Sequence, residues 1–244
     1  MAPHRPTCKR VLLKLSGEIL RGPQGSGLDP EVMGRVVGEL KQVRDSGVQL
    51  AVVVGGGNIF RGVTGEAMGI DRASGDQIGM LSTVANGLAL RSVLENAGVP
   101  VTLQSAIPIP GVVPLFDARE ATAALEQGRV VIFVAGTGNP YFTTDTAAAL
   151  RAIQVHADAL LKGTKVDGVY SADPVTHPEA ERFSSVDYQT VLERQLGVMD
   201  LSATVLCENQ RLPVVVFNMQ EPGALGRVVQ GEDVGTLVAP VDTP

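Results

Sequence analysis

The chain has 244 residues, 44% of them hydrophobic, enough for one large domain or two intimately joined lobes around a sizeable core. Its 20 Lys and Arg against 26 Asp and Glu leave a net charge of -6, which argues against a nucleic-acid surface: any anionic ligand must be held by a few local cations and backbone amides. Cys8 and Cys207 stand far apart without a CxxC, and His4, His156 and His177 are scattered, which speaks against a disulfide framework, a zinc site or a histidine metal cluster.

In chain order, residues 11–15 read as a buried strand and 22–27 as a flexible loop. Asp29 caps a helix that begins with Pro30, carries Val32, Val36, Leu40 and Val43 on one face and stops at Gly47. A second buried strand over 50–54 leads straight into Gly55-Gly56-Gly57. The pattern predicts a long helix over 76–96 with Met80, Leu81, Val84 and Leu88 inward and Gly98 at its end, then a strand at 99–103. Residues 105–114 hold three prolines and read as a surface or subunit-contact loop.

An uninterrupted apolar run over 130–135 predicts a strand buried on both faces. A helix follows, with Thr144 or Asp145 as its cap and Leu150, Ile153, Ala157 and Leu160 at helical spacing. Next come a strand at 159–162, a polar loop at 163–178, short helices at 186–195 and 201–209, a strand at 214–218, a helical turn at 225–230 and a strand at 236–238. Strands alternate with helices throughout, which predicts a mainly parallel sheet sandwiched between helices. A change of lobe is expected near residue 160. No run approaches the roughly 18 apolar residues of a membrane span, and residues 1–10 lack an apolar signal core, so the cytoplasm is the expected compartment, with no membrane partner.

Four loops carry the chemistry. Lys14-Leu15-Ser16-Gly17 closes the first strand with a cation, a hydroxyl and a glycine, although the order of residues is not that of a Walker A motif. The triglycine turn ends in Arg61; its bare backbone suits an anion-binding nest and the guanidinium suits phosphate, while Phe60 breaks a dinucleotide fingerprint. Residues 136–145 pack turn formers, hydroxyls, an amide and a carboxylate between a strand and the positive end of a helix. Residues 162–174 add lysines, a hydroxyl, an aromatic ring and carboxylates suited to a triphosphate with a stacked base. Each of these loops follows a predicted strand, so a parallel sheet gathers them at one edge, where open α/β sheets bind ligands. Asp76 reads either as a helix cap or as an acceptor for ribose hydroxyls.

LLKLSGE at 12–18, VVVGGGNIFRG at 52–62, AGTGNPYFTTDTAA at 135–148, KGTKVDGVYSADP at 162–174 and VFNM at 216–219 together resemble the bacterial uridylate kinases, a branch of the amino acid kinase family. The likeness runs from about Lys9 to Val238, with the 136–145 loop its most specific part. It implies the three-layer α/β/α sandwich of the carbamate kinase-like fold, in a single domain whose N-terminal lobe, about 9–160, binds UMP and whose C-terminal lobe, about 161–240, binds ATP. It further implies transfer of the ATP γ-phosphoryl group to UMP with Mg²⁺, the ion bound mainly through nucleotide phosphates and not by a protein metal site.

Carried onto matching positions, the resemblance gives Lys14, Leu15, Ser16 and Gly17 to the ATP phosphates, puts Gly57 and Arg61 near the transferred group, and gives Thr164, Tyr170 and Asp173 to the ATP nucleoside. It gives UMP to Gly56, Asp76, Thr137, Gly138, Asn139, Pro140, Tyr141, Phe142, Thr143 and Thr144. Lys14, Arg61, Asp145 and Lys162 would be catalytic, Asp145 by orienting the lysines. A homohexamer, activation by GTP and inhibition by UTP are also implied. Arg91 and Arg129 stand where some members place GTP-contacting arginines, whereas Glu95, Thr102 and Ala118 depart from the pattern there. Two other readings compete: a kinase of another small acceptor, and a non-catalytic nucleotide-binding storage or regulatory protein of the same fold.

Overall fold

The computed structural model describes residue 5 and residues 7–172, 176–177 and 179–240. Its frame is one eight-stranded sheet of β1 (Arg10–Leu15), β2 (Gln49–Val54), β3 (Val101–Ser105), β4 (Val130–Val134), β5 (Ala159–Thr164), β6 (Ser185–Asp187), β7 (Val214–Asn218) and β8 (Thr236–Ala239). The spatial order is β3-β4-β2-β1-β5-β7-β8-β6, and every pairing is parallel except that of β7 with β8.

The central strands are unbroken aliphatic runs because helices cover both of their faces. On one face Val11, Leu13 and Leu15 of β1 pack with Val36 and Leu40 of α2 (Pro30–Asp45), Leu90 and Leu94 of α4 (Arg72–Asn96) and Leu225 of α9 (Ala224–Val229). On the other face Leu12, Val53, Phe133 and Leu160 meet α5 (Ala118–Glu126), α6 (Thr144–Gln154), α7 (Tyr188–Glu193) and α8 (Leu201–Asn209). Two short helices, α1 (Gly17–Leu20) and α3 (Gly62–Ala67), follow β1 and β2. The result is the expected α/β/α sandwich. No helix among the described residues is long and apolar enough to cross a membrane.

Several local expectations change. The long helix starts at Arg72, and Asp71 caps it by accepting from the Ser74 amide, which leaves Asp76 in the second turn with no capping duty. Leu81 does not face inward but is 54% exposed. The buried face of α4 carries Ser82, Thr83, Asn86 and Gly87 alongside Val84, Leu90 and Leu94, and at Gly87 the helix lies too close to the sheet for bulk. A methyl group on Gly87 would sit 2.3 Å from a Val134 methyl carbon.

The cap of α6 is Thr143, one residue ahead of the expected pair; its hydroxyl accepts from the Asp145 and Thr146 amides. That helix ends at Gln154, so Leu160 belongs to β5 and not to the helical stripe. The segment expected to be helical from residue 186 begins as β6, and Asp187 then caps α7. Helix α5 was not distinguished in the sequence; Asp117 caps it, and Ala121 and Leu125 are its inward stripe. Residue 160, near which a change of lobe is expected, lies within β5.

Candidate active site

Strands β4, β2, β1 and β5 are consecutive in the sheet, so the four chemistry-bearing loops emerge side by side at its carboxyl edge. At their centre Lys14 and Lys162 are register partners on β1 and β5. Both share the face of Leu12 and Leu160, which α6 covers, and this aims their ammonium groups under the first turn of that helix. Asp145 enters from there: its Oδ1 lies 3.0 Å from Lys14 Nζ and its Oδ2 2.7 Å from Lys162 Nζ. The contact to Lys14 is an ion pair outside hydrogen-bond geometry, so Oδ1 is a buried oxygen with a charge beside it and no hydrogen bond.

Burial alone would raise the Asp145 carboxyl, but the charges of Lys14 and Lys162 outweigh it and hold the group below the ordinary aspartate range. Burial pushes Lys162 below the ordinary lysine range, with Lys14 adding to that and Asp145 opposing it. Lys162 also donates to the Val198 carbonyl. Two like charges on adjacent strands are thus held together by one carboxylate at a helix N-terminus, which itself favours the anion.

The triglycine turn locks against this centre by close approach. The Gly55 amide donates to the Leu15 carbonyl at 2.9 Å. A methyl group on Gly17 would lie 2.6 Å from Asn58 Oδ1 and 2.7 Å from the Gly55 carbonyl oxygen, and one on Gly56 would lie 2.7 Å from the Gly79 carbonyl oxygen of α4. Gly55, Gly56 and Gly57 are not among the glycines with positive φ, so they do not form the alternating backbone of an anion nest, and Gly55 and Gly56 serve close approach instead. Behind them Asn58 and Asn86, both buried, exchange two amide hydrogen bonds, and Asn86 donates to the Gly55 carbonyl at 2.7 Å. Arg61 reaches the cleft mouth, donating to the Gly57 carbonyl at 3.3 Å and pairing with Glu18.

On the β2–β4 side a cleft of about 250 Å³ is lined by Gly56, Gly57, Phe60, Arg72, Asp76, Met80, Thr83, Thr137, Asn139, Phe142, Thr143 and Thr144. The loop over it turns through left-handed backbone at Gly136, Gly138 and Tyr141, the last unusual for a bulky residue. Asp76 accounts for the strain: its Oδ2 accepts from the Tyr141 amide at 2.7 Å, while Arg72 donates to both carboxylate oxygens at 2.9 and 3.0 Å and lies 5.8 Å from the Tyr141 ring centre. Asp76 is therefore the buckle of this loop, and Arg72, which sequence reading missed, is its brace. Thr143 and Thr146 both donate to Asp200, the cap of α8.

On the β5 side a larger cleft of about 530 Å³ is lined by Lys162, Thr164, Val166, Gly168, Tyr170, Ser171 and Val216. Its other wall, Arg194 to Val198, carried no motif; Gln195 takes left-handed backbone there, and this wall supplies the carbonyl that Lys162 touches. The Tyr170 hydroxyl donates to Asp167 at 2.7 Å. Asp173 lies outside the described residues. Leu15 is buried in β1, and Ser16 precedes α1 without a side-chain capping bond.

Among the described residues no group of three or more His, Cys, Asp or Glu is placed to hold a metal ion. The central carboxylate is committed to two ammonium groups and is not free to ligate an ion.

The profile of the amino acid kinase family matches residues 9–218. The chain is 53% identical over 237 residues to a uridylate kinase of Vibrio cholerae, covering 97% of this chain and 98% of that one. Among solved structures, a UMP kinase from Bacillus anthracis superposes with a TM-score of 0.94 at 37% identity, covering 97% of this chain and 98% of its own. A UMP kinase from Ureaplasma parvum superposes with a TM-score of 0.90 at 34% identity, over 95% and 98% of the two chains.

Proposed function

The chain belongs to the amino acid kinase family, and from that premise we propose that it is a UMP kinase, transferring the γ-phosphoryl group of ATP to the α-phosphate of UMP to give UDP and ADP. One observation carries the reading: two clefts of about 250 and 530 Å³ flank a single Lys14–Asp145–Lys162 centre, the arrangement needed to bring an acceptor and a donor together. Relatives named uridylate kinase at 53% identity support this acceptor over carbamate or an amino acid, and support turnover over mere storage.

In this reading the smaller cleft, in an N-terminal lobe of about 9–160, takes UMP. Gly56 and residues 137–144 surround it and Asp76 meets the ribose. The larger cleft, in a C-terminal lobe of about 161–240, takes the ATP nucleoside against Thr164 and Tyr170. Lys14, Leu15, Ser16 and Gly17 hold its phosphates, with Gly57 and Arg61 near the moving group. Phosphoryl transfer needs alignment and neutralisation of the equatorial oxygens, which Lys14, Lys162 and Arg61 supply. The acceptor is a phosphate oxygen largely ionised near neutral pH, so no strong base is required. Asp145, held ionised by its two lysines, organises them. Mg²⁺, held mainly by the nucleotide phosphates in this reading, would supply further charge neutralisation beside Lys14, Lys162 and Arg61.

A homohexamer in the cytoplasm completes the proposal. Met68, Leu81, Val112 and Leu115, which are 70, 54, 48 and 54% exposed, give its subunits apolar surface to cover. GTP as activator and UTP as inhibitor are further parts of it, checked by titrating each into the assay. The reading itself is tested by ADP release across UMP, CMP, carbamate and glutamate: UMP is expected to give the highest kcat/KM, and any other best acceptor overturns it. Asp76→Asn is expected to raise the KM for UMP by roughly 10- to 100-fold, since a charge-assisted bond is worth about 1.5–3 kcal/mol. Its kcat should change much less, and equal losses in both parameters would show Asp76 acting on the chemical step.

A further inference from the structure

Glu18 lies in the first turn after the Lys14 loop, beside Gly57 of the smaller cleft, where an added methyl group would lie 3.7 Å from its Cγ. Its Oε1 lies 2.5 Å from Arg61 Nη2, on the β2 side, and its Oε2 lies 3.7 Å from Lys165 Nζ, on the β5 side. One carboxylate thus spans the cleft and draws a cation from each wall toward the place where phosphates must pass. All three side chains are between 37 and 46% exposed, so as a stability device the bridge is worth little. What matters is that it ties together the loops that follow β2 and β5, the strands on either side of β1.

We propose that Glu18 is a positioning residue, an internal anion that occupies the shared phosphate mouth and keeps Arg61 and Lys165 facing each other across it until nucleotide phosphates take them over. The inference rests on the kinase reading, but it makes a separate claim: Glu18 competes with phosphate for the same two cations. A carboxylate so placed weakens ground-state binding on both sides of the cleft. When phosphates arrive, Arg61 and Lys165 exchange one anion for another and are not stranded. The same exchange in reverse eases the departure of two highly charged products.

The test uses inorganic tripolyphosphate, which reports on the cations without any base or ribose. Isothermal titration of the wild-type protein and of Glu18→Gln at low salt is expected to show about fivefold tighter binding to the variant, the size of one screened unit charge nearby. The gain should shrink as salt is raised, and the KM values for both UMP and ATP should fall together. Unchanged or weaker affinity in Glu18→Gln overturns the proposal, because a merely structural pair would give the first and a pair that only aims the cations would give the second. Failure of both proteins to bind tripolyphosphate overturns it as well. The acceptor panel decides the kinase reading independently of all these outcomes. Thermal unfolding of Glu18→Gln should match the wild type; if it does not, Glu18→Asp, which keeps the charge, must restore wild-type tripolyphosphate affinity, and failure to do so counts against the proposal.

Discussion

Asp145→Asn is expected to lower kcat by about two to three orders of magnitude, the usual cost of losing one preorganised electrostatic group, while the KM for UMP stays within about threefold of the wild type. The two lysines that Asp145 holds together and aims are register partners on adjacent strands. An amide cannot neutralise them, so they repel, and the points that must meet the moving phosphoryl group drift. The pH profile gives a second readout. Burial already brings Lys162 below the ordinary lysine range, so the alkaline limb of kcat should begin earlier than an ordinary lysine would allow. Asp145 is an opposing, raising influence on Lys162, so its loss should move that limb further down. A limb that stays in place in the variant would mean that another group sets it. Steady-state kinetics between neutral and alkaline pH measures both effects.

The second large effect is expected at Gly17. An added methyl group meets Asn58 Oδ1 at 2.6 Å and the Gly55 carbonyl oxygen at 2.7 Å, and neither can withdraw. Asn58 is clasped by Asn86, and Gly55 is tied to Leu15 and Asn86. Gly17→Ala should therefore cost about 1–3 kcal/mol by overpacking, a fall of roughly 2–10 °C in Tm for a chain of this size. It should also cut kcat/KM for ATP, because the loop after β1 must lift away from the triglycine turn. Gly34→Ala is the control: nothing lies within 4 Å of the added methyl group, so Tm should hold or rise slightly. Thermal unfolding of the two variants side by side separates crowding from any general intolerance of alanine.

The sandwich was legible because its central strands are apolar on both faces and its helices carry clear caps, as at Asp29 before Pro30. The gathering of four loops followed from each of them trailing a strand of a parallel sheet. What escaped was set by contacts between segments remote in sequence. Nothing near Arg72 announces that it braces Asp76 against the Tyr141 amide, 65 residues from that aspartate. The 194–198 wall has no motif because it offers a carbonyl, a group every residue possesses, to Lys162. Leu81 misled because helical spacing marks an apolar stripe without saying whether a sheet or another surface covers it. The inner face of α4 is small and polar between Ser82 and Gly87, where at Gly87 the sheet leaves no room for bulk, and aliphatic again at Leu90 and Leu94.

Because Lys14 and Lys162 face each other across a parallel ladder, the separation of their Cα atoms is governed by backbone hydrogen bonds between β1 and β5 and not by the side chains packed around them. Strand spacing, about 4.8 Å in any sheet, acts as a fixed ruler for the charges. The aliphatic residues above and below can then be exchanged for others of similar volume without retuning the cations, whereas a slip of a single residue in that one strand pairing would turn one ammonium group to the opposite layer. A redesigner of this protein can therefore treat the core as negotiable and the β1–β5 alignment as the dimension to conserve.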